Sequence, residues 1–368
     1  MEKGKRIFGL DIMRALAILM VLSAHVLLIY PASNGFLSQI FRVFGYLGVE
    51  LFFVLSGFLI GKIVYKVYVE DEFTFQKVVW FLKRRWFRTL PNYYLVLIFN
   101  LIISFWIGYT VPNVWEYFFF VHNFAFCMPP FFTESWSLSI EEFAYLLLPI
   151  VLYFKTIVVK PKNKSIFFLG VVFGLTLFFI CTKINYALST TNTTLDNWNV
   201  GLKAVVIYRL DAIFFGVLAA WFALNFSQKW YHYRFLFAFF GLILFVFLFV
   251  GVGFFKLTIE SYPYFWNIFY LPLTSLLCVS FLSFFSFWKT TKMSLFKKVV
   301  TFISKTSYSI YLLHYGVILQ LLTFYFPTHD MVGFSLHFYT LGYLSLTFVC
   351  AFLLYRFFEK PIMDWRDK

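Results

Sequence analysis

Charge is scarce in this 368-residue chain: Asp, Glu, Lys and Arg together make up 13% of it, against 61% apolar residues. That balance excludes a soluble domain, which cannot cover so much apolar surface with so few polar groups. Acidic residues are fewer still, 17 against 31 Lys and Arg, and the net charge is +14. In a soluble protein such an excess suggests nucleic-acid binding. Here the basic residues sit between apolar runs, so no nucleic-acid partner is expected. The four cysteines (Cys127, Cys181, Cys278 and Cys350) show neither pairing nor ligand spacing, which argues against a disulfide framework and leaves no metal site expected. There is no internal repeat. A cleaved leader is not expected either, because Asp11 and Arg14 interrupt the first apolar run and no small-x-small site follows.

What the chain has in abundance is apolar runs of membrane-crossing length. Ten are expected, at 8–30, 43–66, 90–109, 136–154, 165–182, 203–225, 233–253, 265–288, 303–326 and 334–358. The reading is an all-α polytopic membrane protein with both termini cytoplasmic. With that topology, 25 of the 31 Lys and Arg fall in cytoplasmic segments or span ends. Outside lie Arg42, Lys183, Lys203 and Lys256, and Arg14 and Arg209 are left within the membrane. Residues 1–368 read as one transmembrane domain with no attached soluble domain. The oligomeric state is not legible.

Ionisable side chains at membrane depth are costly and normally face an interior or a wet cavity. In the first run they are Asp11, Arg14 and His25. Arg14 and His25 lie eleven residues apart, on one helical face and separated by about 16 Å along the axis, so they are expected to look into one cavity. Asp11, three residues before Arg14, is its expected partner. Ser56 and Gly57 in the second run permit close helix contact, and Glu50 is placed near the outer boundary.

Phe73–Arg88 alternates aromatic and basic residues as an interfacial helix does, and its cations are attracted to lipid headgroups. Arg85 and Arg88 share a face and can grip a phosphorylated ligand arriving from the cytosol. Pro91 is expected to start the third span. Val114–Phe126, carrying His122 and Asn123, is a short run suited to re-entry from outside. Glu141 and Glu142 open the fourth span, and Arg209 with Asp211 enters from the same side, making Arg209 their expected partner. A structural ion pair explains that pattern equally well. Asn192-Thr-Thr fits a glycosylation acceptor, a pattern too common to use alone. The seventh and eighth spans look like scaffold. In the ninth, Ser307, Tyr311 and His314 share one stripe, either lining the cavity or bonding to one another. Glu359-Lys-Pro361 reads as a helix stop.

These pieces, in this order, resemble the acyltransferase-3 family of integral membrane acyltransferases. The resemblance rests on Gly9-Leu-Asp-Ile-Met-Arg14 with His25, Phe52-Phe-Val-Leu-Ser-Gly-Phe-Leu-Ile60, and Arg85-x-x-Arg88 before Pro91. It continues through Trp136-Ser-Leu-Ser-Ile-Glu-Glu142 with Tyr145 and Pro149, Tyr208-Arg-Leu-Asp211, Ser307-Tyr-Ser-Ile-Tyr-Leu-Leu-His314 and Glu359-Lys-Pro361. It implies transfer of an acyl group, usually acetyl, from cytosolic acyl-coenzyme A to a hydroxyl of an extracytoplasmic or lipid-linked glycan, in a bacterial inner membrane. It also implies functional roles for Arg14, His25, Arg85 and Arg88. The chain departs from the family pattern at Phe143-Ala-Tyr145, where Gln-Phe-Tyr is usual.

On this reading Arg14, Arg85 and Arg88 bind the donor, acetyl-CoA. His25 takes the acceptor proton, and Glu141 orients the histidine or the sugar. Glu142, Arg209, Asp211, Asp11, Ser307 and His314 support them. A secondary transporter of a small anionic or acylated substrate is the competing reading; the missing inverted repeat speaks against it. A membrane scaffold or sensor would not need Arg14 and His25 on one stripe.

Overall fold

The computed structural model describes residues 6–30, 35–70, 72–190, 194–290 and 292–366, and among them there is helix and loop but no strand. Asn192 and Thr193 of the glycosylation pattern, and Lys3, Lys5 and Lys368 of the charge count, lie outside the described residues. Nine described helices are long and apolar enough to cross a membrane. They are α1 (Phe8–Ile29), α2 (Phe36–Glu70), α3 (Phe75–Ile107), α4 (Ser135–Val159), α5 (Lys164–Ser189), α7 (Arg234–Phe254), α8 (Phe265–Ser286), α9 (Ser294–Tyr325) and α10 (Phe334–Arg366). The remaining run, the sixth, forms α6 (Leu210–Asn225), only 16 residues long.

Three boundaries differ from the sequence reading, each for a local reason. The sixth run was expected from residue 203, yet helix begins at Leu210. The Val206 and Ile207 N–H groups donate to the carbonyls of Asn123 (3.0 Å) and Phe124 (3.1 Å), which takes them out of any helical ladder. The basic stretch before Pro91 and the third span are one 33-residue helix, with Pro91 inside it. A proline removes one ladder bond, and a packed membrane helix tolerates that loss. Glu359 does not stop α10, which turns π-helical over Tyr355–Glu359 and continues to Arg366. Glu359 is buried and accepts from Ser309 Oγ at 2.6 Å and Asn92 Nδ2 at 2.9 Å, so it ties α3, α9 and α10 together.

Lipid tails are as apolar as leucine, so membrane helices are held together by close packing and polar contacts. One very close contact is α2 against α6. A Cβ on Gly57 would lie 1.9 Å from the Ile213 carbonyl oxygen, and one on Gly216 would lie 2.2 Å from that of Val54. Two buried ion pairs add polar ties. Glu50 pairs with Arg209 and also accepts from Ser275 Oγ at 3.2 Å, joining α2, the entry to α6, and α8. Lys183 pairs with Asp211, joining α5 to α6. Glu50 and Lys183 are therefore buried inside the protein, at 1% and 0% exposure. Arg209 is not the partner of Glu141 or Glu142, and Asp211 does not assist them. Besides Ser275, α8 supplies Ser283, which donates to the Trp230 carbonyl at 2.5 Å, and Ser286, which accepts from Trp230 Nε1 at 3.1 Å.

Candidate active site

Five of these helices line a small cavity of about 110 Å³. α1 contributes Arg14, α2 Ser56, α3 Arg85 and Arg88, α4 Glu141 and Tyr145, and α9 Ser307 and Tyr311. The wall is basic at one end. Arg88 is exposed and Arg85 half-buried, and among the described residues neither makes a salt bridge within 4.0 Å. The spacing of three residues on α3 sets both guanidinium groups on the face turned to α1 and α4. Arg14 stands beside them. Its contact with Asp11 is loose, 3.9 Å, because Asp11 is taken by Arg6, with bonds of 2.6 and 3.1 Å, and by Ser304 Oγ at 2.8 Å. Asp11 thus belongs chiefly to Arg6, correcting its assignment to Arg14.

Glu141 faces the pocket. Its two oxygens accept from Ser56 Oγ and Tyr145 Oη, each at 2.8 Å. Tyr145 lies four residues along the same helix, a spacing visible in the sequence; nothing in the sequence ties Ser56 to Glu141. Glu142 points elsewhere and accepts from Thr89 Oγ1 at 2.6 Å. Ser307 lines the pocket, its hydroxyl donating to the Ser304 carbonyl at 3.1 Å. Tyr311 closes the wall against Ser137, with hydroxyls 2.7 Å apart.

His25 and His314 are not in this wall. They meet each other one turn beyond Tyr311, His314 Nε2 lying 3.3 Å from His25 Nδ1 with the rings edge to face. Arg14 and His25 therefore do not line one pocket as expected, and the partner of His25 is His314 rather than Glu141. Main-chain carbonyls settle the tautomers, because a carbonyl oxygen only accepts. His314 Nδ1 faces the Tyr311 carbonyl at 2.7 Å, so it carries the hydrogen and leaves Nε2 with a lone pair. His25 Nδ1 faces the Val21 carbonyl at 2.9 Å and that lone pair, so it is the N–H as well. The lone pair of His25 is therefore on Nε2, a nitrogen able to accept a proton.

The segment between α3 and α4 does not form a spanning helix. It contains one short helix, Trp115–Phe118, and buries His122 and Asn123. His122 Nε2 bonds to Ser135 Oγ at 2.9 Å, while burial pushes its imidazole down to about 3, where it stays neutral. Asn123 Nδ2 donates to the carbonyls of Trp136 (3.0 Å) and Ala204 (2.6 Å), splicing the loop to the start of α4. Among the described residues no group of three or more His, Cys, Asp or Glu is arranged to hold a metal ion.

The chain is similar along almost its whole length to a Staphylococcus aureus protein (strain COL) provisionally named an O-acetyltransferase. The two are 27% identical, the match covering 99% of this chain and 60% of the relative. It is also similar to the peptidoglycan O-acetyltransferase OatA of Listeria monocytogenes, 30% identical over 47% of this chain and 28% of that protein. The chain thus spans about 60% of the length of the curated relatives it matches end to end. No solved structure matches it. The apolar helices make it an integral membrane protein, and its bacterial relatives fit the inner membrane. With residues 7–356 matching the acyltransferase domain, this chain belongs to the acyltransferase-3 family.

Proposed function

We propose that this protein is a membrane O-acetyltransferase that moves an acetyl or other short acyl group from cytosolic acetyl-CoA to a hydroxyl of an extracytoplasmic or lipid-linked glycan. The observation that carries this reading is the sharing of α1 and α9 by two polar sites. Arg14 and Ser307 stand in a pocket with Arg85 and Arg88, while His25 and His314 pair beyond Tyr311. Guanidinium groups match phosphate oxygens in charge and geometry, and three of them at one mouth suit the phosphates of coenzyme A. The cytoplasmic placement of that mouth, and of both termini, rests on the distribution of Lys and Arg. The rise of α1 between Arg14 and His25, about 16 Å, is comparable to an extended pantetheine arm, which supports a donor whose nucleotide stays at the arginines while Tyr311, between the two sites, gives way to its thioester.

His25 Nε2 takes the proton of the acceptor hydroxyl as its oxygen attacks the thioester carbonyl carbon. The carbon–sulfur bond breaks, the acyl ester forms, and the proton passes to the departing thiolate. His314, bonded to His25 Nδ1, keeps the imidazole in the tautomer the step requires. Glu141, held by Ser56 and Tyr145, is the carboxylate nearest the path of the thioester and orients the donor arm. A glycan acceptor is supported by the relatives, one of which is named a peptidoglycan O-acetyltransferase and another provisionally so. Membership of an acyltransferase family disfavours the transporter reading.

The test is thiol release from acetyl-CoA by the purified protein in liposomes, wild type beside His25→Ala, with peptidoglycan fragments and with other surface glycan fractions. Histidine-dependent release stimulated by one fraction supports the reading. Full activity in correctly inserted His25→Ala protein would sink it.

A further inference from the structure

Glu134 immediately precedes α4, is 4% exposed and stands outside the pocket wall. Among the described residues it makes no salt bridge. Burial pushes its carboxyl up to about 7, the mark of an acid held in an apolar place without a compensating cation. Instead of a cation it contacts the main chain of α9. Its Oε1 accepts the Gly316 N–H at 2.9 Å, and its own carbonyl accepts the Tyr311 hydroxyl at 3.1 Å. Tyr311 and Gly316 lie on either side of His314.

α9 is π-helical from His314 to Leu319. Such a turn loosens the regular ladder, and its main-chain groups can take other partners. Here the Gly316 N–H turns to Glu134, and the Tyr311 carbonyl receives the His314 Nδ1–H at 2.7 Å. The approach requires glycine: a Cβ at position 316 would lie 2.4 Å from Asn100 Oδ1 and 2.8 Å from Glu134 Oε1. Asn100 cannot easily give way, since its amide is anchored on the Val96 carbonyl at 2.9 Å.

We propose that Glu134 is a positioning residue for the histidine pair: by taking the Gly316 N–H it holds the π-helical turn, leaves the Tyr311 carbonyl to His314 Nδ1, and so keeps Nε2 of His25 as the basic nitrogen. The proposal rests on the reading of His25 as the general base. The Glu134 side chain does not line the pocket and makes no hydrogen bond to His25.

Two substitutions separate positioning from bulk structure. Glu134→Gln keeps a carbonyl oxygen for the Gly316 N–H; Glu134→Ala removes it. The full-length protein, labelled with 15N-histidine and purified in detergent, contains six histidines. The His25 and His314 signals are assigned by their loss in His25→Ala and His314→Ala. In wild type and Glu134→Gln, both residues are expected as Nδ1–H tautomers. In Glu134→Ala, His25 is expected as a mixture of tautomers. Thiol release from acetyl-CoA with peptidoglycan fragments should then fall at least tenfold in kcat, while KM for acetyl-CoA stays within twofold. If Glu134→Ala does not fold, Glu134→Asp, whose carboxylate is one methylene too short, should show the same shift. Unchanged tautomers in Glu134→Ala or Glu134→Asp would overturn the proposal, as would a folded Glu134→Gln protein that behaves like Glu134→Ala. Turnover that survives in His25→Ala would instead defeat the catalytic reading, leaving the tautomer measurement to judge the role of Glu134.

Discussion

His314 Nε2 accepts from His25 Nδ1 across 3.3 Å, joining residues 289 positions apart in the chain. Because each Nδ1 also faces a main-chain carbonyl, the pair has one consistent hydrogen arrangement, and it ends in an unprotonated Nε2 on His25.

The first prediction concerns that pair. His314→Ala removes the acceptor at His25 Nδ1 and should lower kcat for acetyl transfer by about tenfold to a hundredfold, the range of a mispositioned general base. Acetyl-CoA affinity should stay as in wild type, because the arginine mouth is untouched. Equilibrium binding beside steady-state thiol release reads both quantities. A drop in affinity with unchanged kcat would contradict the assignment.

The arginines should behave in the opposite way. Arg14→Ala, Arg85→Ala and Arg88→Ala are each expected to weaken acetyl-CoA binding by about tenfold or more, equal to about 1.4 kcal/mol. Lysine at position 85 should restore only part of it, since an ammonium group lacks the paired donors of guanidinium. Desulfo-coenzyme A binding by calorimetry checks this without turnover.

Glu50→Gln leaves the Arg209 guanidinium buried and unpaired, and should destabilise the protein by about 3–5 kcal/mol. Glu50→Gln combined with Arg209→Met removes both charges and should recover most of that loss. Thermal unfolding in one detergent compares the two. A double variant no more stable than the single one would mean that the pair is not acting as a compensated unit.

Glu134 makes stability depend on pH in a definite direction. Burial raises its carboxyl from 4.5 to about 7, so between those values the folded protein retains a proton that the unfolded chain has released. Its contribution is full below about pH 4.5 and is lost as pH climbs through about 7. The thermal midpoint of wild type relative to Glu134→Gln should therefore decline across that window. A pH-independent difference between the two would contradict the assignment.

The all-helical, membrane-spanning class was legible because apolar runs of about twenty residues in lipid have few alternatives to helix. Arg85 and Arg88 were legible as a pair because three-residue spacing sets a shared face whatever surrounds it. Arg14 and His25 were likewise readable as one stripe on α1. What each faces across the bundle was not. Helix periodicity gives direction about a single axis and carries no information about which helices become neighbours. The chain order of Arg209 and the two glutamates of α4 suggested a partnership, yet tertiary packing set Arg209 against Glu50 on α2 and gave Glu141 to Ser56 and Tyr145. The same packing chose His314 for His25 and set the Gly316 N–H of the π-helical turn of α9 against Glu134. The sequence by itself determined which residues enter the membrane and on which face of their own helix. The pairings among them were decided only by the tertiary structure, since a buried polar group takes whichever complementary atom the closest-packed neighbour presents.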